Sequence, residues 1–239
     1  MAWAGSGAHT SYTLLGGKAC YDCGPPPVLW KQHRLWFWPR EDANASTNGQ
    51  LCWHNKSLVS FLTAQVTALL RANPNASLVS VSQNDNNLYC KDTAEMAIIE
   101  AEGSPMGPML RAVNQIATVI ATEFPHAAIQ TLAYDYSIQA PKLTMPRKNV
   151  IIQLCTNFIN FAQPLAHPSN MQFQSIIEPW TRISKRTYIW HYGTSFYDYL
   201  LPYPNWFTLG PDVKYCLTTA CAVCSSKGRT VRQRPIWIP

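Results

Sequence analysis

The first long regular pattern begins after Asn55. Leu58, Phe61, Leu62, Val66, Leu69 and Leu70 recur at helical spacing and form one apolar stripe, which Asn73-Pro74-Asn75 stops. Leu78 to Val81 then read as a strand. A polar loop leads to Ser104-Pro105, a capping residue followed by a proline suited to a first helical turn. Leu110, Val113, Ile116, Ile120 and Phe124 mark the next helix, and Pro125 ends it. Ala128 to Tyr134 and Val150 to Cys155 read as strands. A weaker helix over 170–183 is expected to break at Pro179, and Thr187 to Tyr192 form a further strand. The segment before residue 51 is rich in Gly, Pro and Trp and reads as loop with one short helix near Trp30. The stretch from Tyr136 to Asn149, with Pro141 and Pro146, leaves room only for an irregular crossover. Strands alternating with helices argue for a parallel sheet, in a barrel of strand–helix units or in an open doubly wound sheet. No glycine-rich phosphate loop follows any strand.

Every predicted strand ends in polar side chains that are costly to bury alone. The first delivers Gln83, Asn84 and Asp85, the second Tyr134, Asp135 and Tyr136, the third Gln153, Thr156 and Asn157, the fourth Trp190, His191 and Tyr192. In a barrel such ends gather on one face, where amides and phenols can bind a polyhydroxylated ligand over an aromatic floor. Asp85 reads either as an Asx-turn acid that closes its strand or as a catalytic or ligand-binding acid. Asp135 either orients its flanking tyrosines or acts as an acid or base. His191 is either a satisfied core histidine or a proton-transfer group. Trp190, Tyr134 and Tyr192 either pack the core or line a sugar. His9 sits in a Gly-rich loop that can reach a cleft, and His54 has no evident role. Glu95, Glu100 and Glu102 read as a solvated loop or short helix face.

Composition narrows the class. Hydrophobic residues make up 47% and charged residues 13%, which favours a packed core over disorder. The formal charge is +6, but Lys227, Arg229, Arg232 and Arg234 concentrate it in a tail, so no basic face for nucleic acid is expected. No apolar run approaches a membrane span, and no signal peptide is evident at the start. Asn44, Asn55 and Asn75 open glycosylation acceptor triplets. Eight cysteines permit disulfides or free thiols. The pairs Cys20/Cys23 and Cys221/Cys224 have the spacing to offer four thiolates to zinc, although neither has the flanks of a zinc knuckle.

The stretches LVSVSQNDNNLYC, EGSPMGPMLRAVNQIA, IQTLAYDYSIQAPK, NVIIQLC and TYIWHYGTSFYDYLLPYPNWFTLGPDVKY resemble, in the same order, the domain of unknown function 4838 family over about residues 50–215. The resemblance implies a glycoside-hydrolase-like (β/α) barrel. Gln83, Asn84 and Asp85 correspond to the family's SQND strand end and Tyr134 to its LAYQY-like motif. Trp190, Tyr192 and Phe196 correspond to YIWDY…F, and the 200–205 loop to an LLPFPN-like segment. The chain departs from the pattern at His191, where the family has Asp, and at Asp135, where a glutamine-like residue is usual. It keeps only Cys90 of several cysteines after SQND. A further strand ending in Phe-Glu-Gln-Gly is not expected after Tyr215.

The expected fold is α/β, a partial or incomplete TIM-type (β/α) barrel of parallel strands. About four or five strand units are readable where a closed barrel has eight. The expected organisation is an irregular segment over 1–50, the partial barrel over 51–215 and a divergent basic tail over 216–239. Two functions follow: a glycoside hydrolase acting on O-glycosidic bonds, or a noncatalytic saccharide-binding or structural remnant. Catalytic candidates are Asp85, Asp135 and His191. Substrate-binding candidates are Gln83, Asn84, Tyr134, Trp190, Tyr192 and Phe196. A saccharide ligand and self-association through uncovered sheet edges are expected, with no nucleic acid, membrane, metal or cofactor. The compartment is left open.

Overall fold

A computed structural model describes residues 2–18, 23–40, 49–195, 198–219 and 223–227, the last of these as backbone. Phe196, Cys20, Cys221, the Asn44 acceptor and the tail positions Arg229, Arg232 and Arg234 lie outside the described residues. The chain divides into two compact units, Met1–Ile151 and Ile152–Pro239.

The first unit opens with β1 (Trp3–Ala4) and α1 (Pro27–Gln32), the short helix expected near Trp30, whose side chain is buried. β2 (Phe37–Trp38) and β3 (Gln50–Leu51) pair antiparallel within the segment expected to be loop. Strands this short leave no alternation to read. α2 (Lys56–Ala72) follows, with Asn55 Oδ1 accepting from the Ser57 and Leu58 amides at 3.1 and 3.2 Å. Its stripe buries Leu58, Leu62, Val66 and Leu70. Then come β4 (Leu78–Ser80), α3 (Thr93–Glu102), α4 (Met106–Glu123) and β5 (Ala128–Ala133).

α3 occupies the stretch expected to be polar loop. Its caps define it: the Glu95 amide donates to Asp92 Oδ1 at 2.8 Å, and Gly103 closes it in the left-handed region at φ 64. The residues it buries are Glu95 and Glu102, so apolar periodicity has nothing to report. α4 buries Leu110, Val113, Ile116 and Ile120 and packs against α2; each such aliphatic side chain contributes about 1.5–3 kcal/mol. β1, β4 and β5 lie side by side in that order and run parallel, with Trp3 opposite Leu78 and Leu78 opposite Ala128. Every residue of β5 is buried, as in a sheet covered on both faces.

The second unit carries most of β6 (Val150–Cys155), then α5 (Met171–Ile183), β7 (Thr187–Tyr192), α6 (Leu209–Thr218) and β8 (Val223–Lys227). α5 continues through Pro179 instead of breaking there. A helix-interior proline costs about 3 kcal/mol. Burial of Phe173, Ile176, Ile177 and Trp180 offsets more than that. β6, β7 and β8 run parallel in that order. β8 is a strand after Tyr215 that does not end in Phe-Glu-Gln-Gly; VCSSK lacks the apolar run that would announce a strand. Parallel strands alternating with helices make this an α/β fold, an incomplete (β/α) barrel. No described helix is long and apolar enough to cross a membrane.

Candidate functional site

The C-terminal ends of β1, β4 and β5 carry the polar cluster of the first unit. Beyond β1, Thr10 and Ser11 fasten the chain to the end of β4. Thr10 Oγ1 donates to the Ser80 carbonyl at 3.0 Å, and Ser11 Oγ donates to the Ser82 carbonyl at 2.8 Å. The Ser82 amide donates to Thr10 Oγ1 at 3.0 Å. All of these groups are buried, so the hydroxyls replace a sheet ladder that β1 is too short to continue. This stitching sets His9 beside the β4 end.

Gln83 and Asn84 face inward and spend their amides on the backbone. Gln83 Nε2 donates to the Tyr134 carbonyl at 2.8 Å and to Ser137 Oγ at 2.7 Å, tying the β4 end to the turn after β5. Asn84 Nδ2 donates to the Gly49 carbonyl at 2.7 Å. Gln50 on β3 completes the frame: Nε2 donates to the Asn84 and Asn86 carbonyls, both at 2.8 Å, and Oε1 accepts from the Asn84 amide at 3.0 Å. Gly49 cannot carry a side chain, since a Cβ would lie 1.8 Å from the Trp38 carbonyl oxygen.

Asp85 is the part-exposed member of the strand end. Its Oδ2 lies 4.0 Å from His9 Nε2, with side-chain exposures of 35% and 29%, so both are open to a ligand. His9 Nδ1 is 3.2 Å from the Gln83 carbonyl, an acceptor, so that nitrogen is the donor. A neutral ring in that tautomer turns its Nε2 lone pair toward the carboxyl. His9 also stands edge-on to Tyr134 with ring centroids 5.8 Å apart.

Two residues here adopt left-handed backbone without being glycine: His9 at φ 52 and Asp135 at φ 48. Such conformations store about 1–3 kcal/mol each and concentrate at functional sites. Asp135 follows Tyr134 at the head of a one-turn 3-10 helix, Asp135–Ser137, and both side chains are part-exposed.

A second polar cluster in this unit surrounds the disulfide between Cys52 and Cys90, which closes a separation of 38 residues and contributes about 4 kcal/mol on the chain-entropy argument. Glu95 is 2% exposed, and its carboxylate accepts from the Trp53 amide, the His54 amide and His54 Nδ1, the last at 2.8 Å. Burial raises the Glu95 carboxyl pKa, and the Glu95 hydrogen bond raises that of His54. Arg40 pairs with Asp92. Glu102 is fully buried and accepts from the Leu143 and Thr144 amides at 2.9 and 3.0 Å, from Thr144 Oγ1, and from Arg111 Nε at 2.8 Å. The solvated reading of Glu95 and Glu102 is therefore corrected; Glu100 is exposed as expected. Cys23 is disulfide-bonded and supplies no thiolate, which removes the four-thiolate zinc reading.

In the second unit, β7 alternates. Ile189 and His191 are buried, while Tyr188, Trp190 and Tyr192 form a half-buried aromatic face. Asn157, beyond the β6 end, is exposed. Asn205 donates to the Tyr192 carbonyl at 2.7 Å, and Leu200 in the preceding loop is 95% exposed. His191, expected at the rim of a cleft, is instead 4% exposed, with Nε2 3.4 Å from Oδ2 of Asp212, itself 3% exposed. Its Nδ1 lies 3.2 Å from Thr156 Oγ1, whose single proton has the Trp190 carbonyl at 3.1 Å as acceptor. In that arrangement Nδ1 donates to Thr156. Burial lowers the His191 pKa to about 4 and raises that of Asp212. His191 is thus a buried histidine whose charged form burial disfavours.

His9, Gln50, Ser137 and Asp212 are the contributors sequence reasoning weighted least or missed. Only His9 carried a signal, its place in a Gly-rich loop. No functionally curated protein is similar to the chain. Among solved structures it is similar to the crystal structure of GH36 alpha-galactosidase AgaB from Geobacillus stearothermophilus, at 12% identity and a TM-score of 0.30. That likeness covers 44% of this chain and 14% of the galactosidase. The family model described as domain of unknown function (DUF4838) matches residues 2–234, well beyond the 50–215 on which the motifs were read, and the chain belongs to the DUF4838 family.

Proposed function

We propose that the chain is a carbohydrate-active protein that recognises a saccharide at the β1, β4 and β5 ends of its first unit and acts there on O-glycosidic bonds. The observation that carries this reading is the meeting of His9 and Asp85 from neighbouring parallel strand ends, both part-exposed, with Tyr134 against the His9 ring. Asp85 is the acid that protonates a leaving oxygen, and His9 stands beside its carboxyl. Asp135 supplies the second carboxylate that glycoside hydrolysis requires. Tyr134 offers a ring face and a phenol to a sugar. Gln83 and Asn84 act by holding this frame. On the second unit, Trp190 and Tyr192, with Phe196 by family correspondence, are the proposed sugar-facing aromatics.

A noncatalytic saccharide binder is the second reading. The burial of His191, at the position where the family pattern has Asp, favours it, because no carboxylate is offered there. Both readings are tested by presenting the full chain with a panel of oligosaccharides and aryl glycosides while following binding and sugar release. Binding with release supports the hydrolase, and binding alone supports the second reading. Neither binding nor release across the panel overturns both.

A further inference from the structure

Independently of the saccharide reading, the structure separates the two glycosylation acceptor triplets that lie within the described residues. Asn73-Pro74-Asn75-Ala76 turns the chain between α2 and β4. The Ala76 amide donates to the Asn73 carbonyl at 2.8 Å, with Pro74 at the turn position that proline favours. Asn75 therefore stands at the tip, and it is exposed. Asn73 closes α2, its Nδ2 donating to the Leu69 carbonyl at 2.9 Å, whereas the Asn75 carboxamide makes no hydrogen bond among the described residues. The Ser77 hydroxyl, two residues on, makes none there either. Ser77 is held by its backbone: its amide donates to the Ala2 carbonyl at 2.9 Å, and its carbonyl accepts from the Ala128 amide at 3.0 Å. Asn55 differs in each respect. It is half-buried, and its Oδ1 accepts from the amides that open α2. The Ser57 hydroxyl donates to that oxygen at 2.8 Å and accepts from Trp36 Nε1 at 2.7 Å. Folding engages one asparagine–serine pair and leaves the other to solvent.

We propose that Asn75 is an N-glycosylation site. The disulfide between Cys52 and Cys90 is the second, independent observation. Disulfides form and persist in oxidising compartments such as the lumen of the secretory route, where asparagine-linked glycans are added. The donor is a lipid-linked oligosaccharide. The Asn75 amide nitrogen attacks its anomeric carbon, an N–C bond forms as the C–O bond to the lipid diphosphate breaks, and one amide proton passes to a base. Asn75 precedes the first residue of β4, whereas Gln83 and Asp85 follow its last. A glycan there stands at the far end of the strand from the polar cluster and leaves that cluster open.

The test expresses the full chain behind a cleavable secretion signal in cultured human cells. Secreted and retained material are both digested and treated with peptide N-glycosidase in heavy-oxygen water, which converts a glycosylated asparagine to labelled aspartate that mass spectrometry reads site by site. Asn75 is expected to be labelled in most chains, and Asn55 to be the less occupied. Asn75→Gln and Ser77→Ala are each expected to remove this glycan, and Ser77→Thr to keep it. The proposal fails if Asn75 is unlabelled in both materials, if Asn55 is the more occupied, or if Ser77→Ala leaves Asn75 occupancy unchanged. Free thiols at Cys52 and Cys90 in the glycosylated chain overturn it equally, because the shared compartment is then lost.

Discussion

His9 Nε2 lies 4.0 Å from Asp85 Oδ2, and the other nitrogen of the same ring lies 3.2 Å from the Gln83 carbonyl. The imidazole therefore links buried Gln83 of the β4 end to part-exposed Asp85. Its left-handed backbone, at φ 52, is the strain that accompanies this placement.

Replacing His9 with glycine separates the two effects. Glycine adopts the left-handed region freely but adds unfolded-chain entropy, so His9→Gly should leave unfolding free energy within about 1 kcal/mol of wild type. Saccharide affinity should fall about tenfold, or about 1.4 kcal/mol. Urea unfolding and calorimetric titration read the two effects apart; equal losses in both would make His9 structural.

Gln50 should matter more to the frame than any residue facing solvent. Gln50→Ala leaves the buried carbonyl of Asn84 and the Asn84 amide without their partner. A loss of about 2–3 kcal/mol in urea unfolding is expected, with saccharide binding weakened in parallel. An unchanged unfolding midpoint would show that water replaces the amide.

Glu102 gives an acid-labile contribution. Burial alone would raise its carboxyl pKa, but hydrogen bonds from Thr144, Leu143 and Arg111 outweigh burial and hold the pKa below the usual range. A lowered folded-state pKa stabilises above the unfolded value of about 4.3, and this stability is lost as pH falls through the folded value. Glu102→Gln should cost about 2–3 kcal/mol at pH 7, and the cost should shrink as pH falls from about 4.3 through the folded-state pKa. A difference that does not narrow in acid would contradict the assignment.

The buried pair in the second unit predicts a silent histidine. With its pKa at about 4, His191 should stay neutral between pH 8 and 5, visible in nitrogen-15 shifts of the ring. Its depressed pKa contributes stability that is present above about 6.5 and lost as pH falls toward 4, while Asp212, raised by burial, acts in the opposite sense. A ring that titrates near 6.5 would place His191 in water.

The legible parts of this chain were those whose signal is local. The stripe from Leu58 to Leu70, the run from Val150 to Cys155 and the strand from Thr187 to Tyr192 each declare an element by spacing alone. α3 escaped because its buried residues are glutamates, and their partners lie far along the chain: His54 is 41 residues before Glu95, and Thr144 is 42 after Glu102. The same holds at the site. Asp85 could be picked out as the acid ending a strand, but its neighbour His9 is brought there by Thr10 and Ser11 hydroxyls bonding to Ser80 and Ser82, a long-range stitch that carries no periodicity. His191 read as a rim residue because its strand ends there; the buried Asp212 that claims it sits on a helix that follows a long loop.

Asp85→Asn tests the central claim most directly, because it keeps the shape and removes the acid. Measured on the saccharide that wild type binds best, the variant should fold as wild type and lose sugar release by about 100-fold or more if wild type hydrolyses it. If wild type only binds, affinity should fall about tenfold. A variant that binds and turns over like wild type would contradict the placement of the site at the β4 end.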